Sequence, residues 1–341
     1  MDTLTQALLG ATFGQAGFGH RLGRRAVVWG ALAGVIPDLD IVAAATGPMG
    51  EFLYHRGPTH SLWFGPLAGA AIGYAFWRWH ARQERGTLAA WSGLFVVAIL
   101  THPLLDVFTT YGTQLLWPFS HRRFALDGIA IVDPVYSLAL VAALIVGRRR
   151  GEGSRVARAA AAVALAVTTV YLFHGVWLNR ETEARVRSGL EAEGIRGADV
   201  EAYPTLLQIY LRRVVVRHGD EVRVGWLSLW NPKPPAWQRF TLARHPLIDK
   251  ARRSEEGRIF EWFALGQTSP RIEMTAEGAV VEIDDLRYGF PSRPEEGLWG
   301  LRFRFDGAGR LAAPVHRFNR PLPLPAGAAL AQIWRFTFGA D

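Results

Sequence analysis

Long apolar stretches alternate with short polar ones through the first half of the chain. Val27 to Thr46, Ser61 to Trp79, Leu88 to Phe108, Ile129 to Gly147 and Val156 to Leu178 each hold about 18 or more mostly apolar residues. Each is long enough for a membrane helix. The opening stretch, Leu4 to Gly19, is shorter and Gly-rich, so it reads as a sixth span, a half-span or an interfacial helix. Buried helices of a large soluble protein are the alternative, but five such stretches separated by tight Arg-containing turns favour a bilayer.

After residue 178 the pattern changes. Glu181 to Gly194 is charged and helix-like, and Leu206 to Arg217 and Glu221 to Trp230 flank a His218-Gly219-Asp220 turn as a hairpin would. Ala279 to Ile283 and Leu298 to Phe305 are further strand candidates, Ile248 to Leu265 a helix, and Pro321 to Pro325 a surface crossing. The predicted fold is therefore an α-helical polytopic membrane domain of five or six helices, residues 1 to 178, followed by a mainly β, soluble α+β domain, residues 179 to 341.

The basic residues set an orientation. Arg21, Arg24 and Arg25, then Arg78, Arg82 and Arg85, then Arg148, Arg149, Arg150, Arg155 and Arg158 occupy alternate loops, which should face the cytoplasm. Loops 47 to 60 and 109 to 128 hold only Arg56, Arg122 and Arg123, so they should face outward, together with everything after residue 178. This predicts a multi-pass inner-membrane protein with an extracytoplasmic C-terminal domain.

Composition changes the picture in two places. There is no Cys, which excludes disulfides, thiolate metal sites and Cys nucleophiles. The net charge of +8 is carried mostly by Arg spread along the chain and gives little reason to expect nucleic acid. Met1-Asp2 does not open a cleavable signal peptide.

The acidic and imidazole groups are unevenly placed. Asp38 and Asp40 lie in PDLD, His55 and His60 in YHRGPTHSLW, and His102 and Asp106 in THPLLD, where the i, i+4 spacing gives them one helical face. Asp127 and Asp133 flank the start of the fourth long stretch. Of nine acidic residues before position 179, only Glu84 and Glu152 fall in the inward loops. Such groups near lipid cost several kcal/mol unless paired or metal-bound.

Helix-boundary polarity, an ion pathway, a structural metal site and a catalytic metal site all compete as explanations. The catalytic site accounts for most of the residues, because neutral imidazoles and carboxylates suit zinc or a similar divalent ion. Asp133 before Pro134 also reads as a helix N-cap, and Arg56 as either an anion clamp or an interfacial residue. Ser61 lacks a Gly-x-Ser-x-Gly elbow. Trp63 and Trp117 read as interfacial anchors, and His218, His245 and His316 as surface or turn residues.

MDTLTQALLGA, GVIPDLD, HRGPTHS, THPLLDVFTTYGTQLLWPFS and FALDGIAIVDP, in that order over about residues 1 to 135, resemble the YdjM-like membrane-bound metal-dependent hydrolases. That family is distantly similar to the zinc-dependent phospholipase C and single-strand nuclease group. The resemblance implies Asp38, His60, His102 and Asp106 as core ligands, with Asp40 and His55 next, and with Asp133 and Asp127 completing the site, holding a metal-bound water or accepting from the imidazoles. Relatives carry His where this chain has Gln6.

The resemblance also implies a divalent metal, Zn2+ first, with two or more ions and Mn2+ or Mg2+ as variants. Its implied substrate is a phosphoester or a lipid head group beside the bilayer. Asp40 or Asp127 would take a proton from water, and Arg56 would meet the developing charge. The other class of function is a non-catalytic membrane protein, for transport or structure, with a structural metal cluster.

Overall fold

The computed structural model describes residues 1–47, 49–81, 87–231, 235–321 and 324–339. Arg82 and Arg85 of the inward loop, and residues 322 and 323 of the Pro-rich stretch, lie outside the described residues. The chain divides into two compact units. The first comprises residues 1–43, 54–176 and 206–208, and the second residues 44–53, 177–205 and 209–341.

The first unit is helical. It contains α1 (Thr3–Phe13), continued by a π turn and the short α2 (Gly19–Leu22), then α3 (Arg24–Gly34) and a 3-10 segment, Pro37–Thr46. The short α4 (Gly50–Tyr54) belongs to the second unit. After a 3-10 turn at Pro58–His60 come α5 (Phe64–Phe76), α6 (Leu88–Asp106), α7 (Pro134–Arg150) and α8 (Arg155–Ala192).

Among the described residues, three helices are long and apolar enough to cross a bilayer: Arg24–Ala43 (α3 with its 3-10 continuation), α6 and α8. That is fewer than the five or six expected. The stretches at 61–79 and 129–147 give shorter α-helices, because each begins late and the first also passes into a π segment, Trp77–Ala81. His60 sits in a 3-10 turn and α5 starts only at Phe64, while Asp133 caps α7 and Pro134 takes its first position.

Glycine decides how these helices meet. A Cβ on Gly10 would stand 2.2 Å from the Gly30 carbonyl oxygen, and one on Gly30 would stand 2.4 Å from that of Gly10. Gly34 also lies close to α1: its Cβ would be 2.7 Å from the Gln6 carbonyl oxygen. Gly30 and Gly34, four apart on α3, thus meet Gly10 of α1 in backbone contact, the usual means of packing helices in lipid. On the other side, Trp91, Leu94 and Phe95 of α6 join Ala26 and Ala33 of α3 in a core.

The second unit contains two four-stranded antiparallel sheets, each in chain order. The first is β1 (Asp199–Pro204), β2 (Leu211–His218), β3 (Glu221–Ser228) and β4 (Gln238–Thr241). The second is β5 (Thr268–Thr275), β6 (Gly278–Asp285), β7 (Trp299–Asp306) and β8 (His316–Asn319). The hairpin expected around Gly219 is present, with His218 opposite Glu221.

The single helix expected at 248–265 is instead two, α9 (Pro246–Arg253) and α10 (Glu255–Phe263). Ser254 divides them: its backbone is extended and its hydroxyl accepts the Gly257 N–H, as an N-cap does. A final helix, α11 (Ala326–Phe338), packs Ile333 and Phe336 against the first sheet.

Candidate metal centre

Three backbone segments deliver the side chains. α6 ends with His102 and Asp106 on one face, both fully buried. The 3-10 segment after Pro37 carries Asp38 and Asp40, and the 3-10 turn at Pro58–His60 carries His60. Asp38, His60 and His102 each offer a ligand atom to one centre, all within 4.8 Å of one another.

The hydrogen bonds behind the two imidazoles assign their tautomers. His102 Nδ1 lies 2.6 Å from the Gly34 carbonyl oxygen, which can only accept, so Nδ1 carries the proton. His60 Nδ1 lies 3.1 Å from Asp40 Oδ2 and 3.1 Å from Thr59 Oγ1. Thr59 donates its own hydroxyl proton to Asp40 at 2.7 Å, so His60 Nδ1 is also a donor. In the neutral form of each ring Nε2 then carries a lone pair, and the two Nε2 atoms face each other 3.1 Å apart. Two facing lone pairs repel unless a cation or a shared proton lies between them.

The distances suit a metal. Zinc bonds of about 2.0–2.2 Å in a tetrahedron place ligand atoms about 3.3–3.5 Å apart. Asp38 Oδ1 lies 3.3 Å from His102 Nε2 and 3.8 Å from His60 Nε2, while Asp106 Oδ2 lies 3.4 Å from His60 Nε2 and 3.7 Å from His102 Nε2. Asp38, His60, His102 and Asp106 thus fit a divalent ion both in chemistry and in spacing. Asp38 is the one that reaches toward solvent, with 19% of its side chain exposed.

Asp106 is shared with two cations. Its Oδ2 meets Arg56 Nε at 3.0 Å, and its Oδ1 accepts from the Met1 amino group and from Gln6 Nε2 at 2.9 Å. Gln6 therefore supports the carboxylate in the position where the family resemblance implies a histidine. Arg56 adopts left-handed backbone, φ 60°, and its guanidinium donates to Thr109 Oγ1 at 2.7 Å and lies over the Tyr111 ring. Its backbone N–H donates to Asp40 at 3.0 Å.

The remaining candidates take other places. Asp40, considered above as a ligand and a base, holds His60 from behind and pairs with His55 Nδ1 at 2.7 Å. His55 is correspondingly one layer out, its ring centroid 6.0 Å from that of His60. Asp133 is the N-cap of α7: its carboxylate accepts the N–H groups of Val135 and Tyr136 and the Tyr171 hydroxyl. Of the two roles considered for Asp133, these bonds display the N-cap, and it lies outside the Asp38–His60–His102 group. Asp127 lies in a left-handed turn, φ 51°, outside the three-residue ligand group.

Sequence reasoning missed the Gly34 carbonyl, Thr59 and Thr109. Main-chain acceptors and single hydroxyls leave no pattern along a chain.

The YdjM inner membrane protein family matches residues 1–178, a span that contains every residue of this centre. The chain belongs to that family. The YdjM region is thus the helical part of the chain together with the start of the second unit. One relative, the uncharacterized protein YfhP of Bacillus subtilis, is 32% identical over 125 residues, which is 36% of this chain and 36% of YfhP. The match thus spans about a third of that relative's length. No solved structure matches.

Proposed function

We propose that this YdjM-family protein is a membrane-embedded, metal-dependent hydrolase acting on a phosphoester, with a lipid head group as the favoured source. One observation carries the reading: two imidazoles whose Nε2 atoms face each other at 3.1 Å beside two carboxylates. Asp38, His60 and His102 would hold the ion, with Asp106 as a fourth ligand shared with Arg56. Zn2+ fits this donor set best. A divalent ion in such a site supplies positive charge and lowers the pKa of water toward neutrality.

The chain's own groups divide the remaining work. Arg56, held by Asp106 and Thr109, presents a fixed cation to an anionic substrate. His55, oriented by Asp40 and 16% exposed, is the group placed to take or return a proton, with Asp40 acting through it. Five or six spans with the C-terminal unit outside the cell is the arrangement the Arg-rich loops support.

One feature favours a second reading, a non-catalytic protein with a structural metal. Asp106 can close the coordination sphere, and closed four-ligand sites are usually structural.

Metal analysis of the purified full chain, before and after chelation, distinguishes these readings when combined with a phosphodiester turnover assay. The expected result is a stoichiometric divalent ion and turnover that is lost on chelation and restored by Zn2+. Stoichiometric metal without any turnover would move the assignment to the structural reading, and absence of bound metal would overturn both.

Asp40→Asn should weaken metal binding about 10–100-fold, since Asp40 sets the tautomer of His60. Competition against a chromogenic chelator measures it. Unchanged affinity would show that Thr59 alone holds the ring.

A further inference from the structure

The last helix has two faces with different fates. On one, Ile333 and Phe336 pack against the first sheet, Ala329 and Thr337 are buried, and the Thr337 carbonyl accepts from Ser228 Oγ at 2.7 Å. On the other, Leu330, Trp334 and Phe338 follow one another at i, i+4 and i+8, exposed by 49%, 62% and 40%. Trp230, just after β3 and 51% exposed, extends that stripe. It stacks on Tyr210 with ring centroids 3.8 Å apart and lies 5.4 Å from Phe338, which in turn lies 4.4 Å from Trp334.

Single exposed apolar residues are ordinary on protein surfaces; a contiguous aromatic patch is not. We propose that this stripe is a lipid-docking surface, seated in the head-group layer of the bilayer that the same chain spans. Its chemistry matches that layer. Trp and Tyr combine an apolar body with a polar handle and concentrate at membrane interfaces. From Ala326 to Phe338 there is no acidic residue and one basic residue, Arg335, so this helix carries no charge that repels anionic head groups.

Continuity of the chain supplies the second argument. α8 is unbroken over 38 residues, with an apolar 18-residue window, and its far end packs Val186 and Leu190 against Val200, Val214 and Val216 of the first sheet. The unit bearing the stripe is therefore tethered to a span by its own helix. Tethering keeps the lipid surface at high effective concentration, whereas a soluble partner or second copy must be gathered from dilution.

The absence of Cys makes the test direct. Trp334→Cys and, as a control at the exposed β5–β6 turn, Glu277→Cys would each be labelled with an environment-sensitive fluorophore. The full chain would be reconstituted into phosphatidylcholine–phosphatidylglycerol vesicles. The label at 334 should be quenched several-fold more by a head-group-level lipid quencher than the label at 277, and shielded from aqueous iodide. Leu330→Cys should repeat the result. Equal iodide access at 334 and 277, with no effect of the lipid quencher, would overturn the proposal. So would 334-to-334 cross-linking between chains in vesicles combined with loss of lipid quenching, which would assign the stripe to a second copy.

Discussion

His102→Ala combined with Asp106→Ala should give a chain that inserts normally but neither retains a divalent ion nor turns over phosphoester. His102 contributes one of two inward Nε2 atoms, and Asp106 the oxygen lying 3.4 Å from the other imidazole. Loss of a group that merely supports a ligand costs about 10–100-fold in metal affinity, so removing two ligands should exceed that range. Insertion should survive, because α6 loses only polar atoms from an already apolar segment.

Asp106 also balances Arg56, and an uncompensated buried cation costs about 3–5 kcal/mol. Asp106→Asn, which keeps the shape and a hydrogen-bonding oxygen, is the companion variant that separates lost ligation from lost folding. Metal content, turnover and resistance to carbonate extraction measure the three consequences. Unchanged turnover in a properly inserted double variant would sink the enzymatic assignment.

Gly30→Val should disrupt the centre from a distance. Gly30 touches no ligand, yet its new Cβ would need the space 2.4 Å from the Gly10 carbonyl oxygen, and backbone cannot swing aside as a side chain does. α1 and α3 must separate. Overpacking of this kind costs about 1–3 kcal/mol, and here it also moves Gly34, whose carbonyl fixes the His102 tautomer. A lower melting temperature and weaker metal binding are both expected. Gly17→Val is the control, since a Cβ there meets nothing within 4 Å. Equal behaviour of the two variants would show that the close helix contact does not hold the site.

Much of the centre was legible before the fold. The i, i+4 spacing of His102 and Asp106 required only a helix to bring them together, and α6 is long and apolar enough to be read as one. Asp38 and His60 were legible as polar groups at the ends of apolar stretches. Asp40 and His55 carry the same signature, and the chain alone could not separate ligands from the groups behind them. That difference lies in which atom points inward, set by the 3-10 turns at Pro37 and Pro58. Asp133 shows the same ambiguity: as a residue before proline it was equally good as a cap, and its carboxylate does accept the Val135 and Tyr136 N–H groups as a cap does.

In the second unit, runs of β-branched and aromatic residues around a Gly turn revealed the β2–β3 hairpin, and alternation revealed β7. β4 and β8 are only four residues long, too short for a period of two to emerge, and the break at Ser254 depends on a side-chain bond.

What the sequence determined by itself is the partition of the chain into an apolar helical part and a charged, mostly β part, together with the residue types gathered for metal chemistry. Those follow from local composition and periodicity, which are properties of neighbours along the chain. Tertiary structure alone decided that Asp38, His60, His102 and Asp106 converge and that Asp133 caps a helix. Convergence requires helices to approach within backbone contact at Gly10, Gly30 and Gly34, a relation between segments that no single segment encodes.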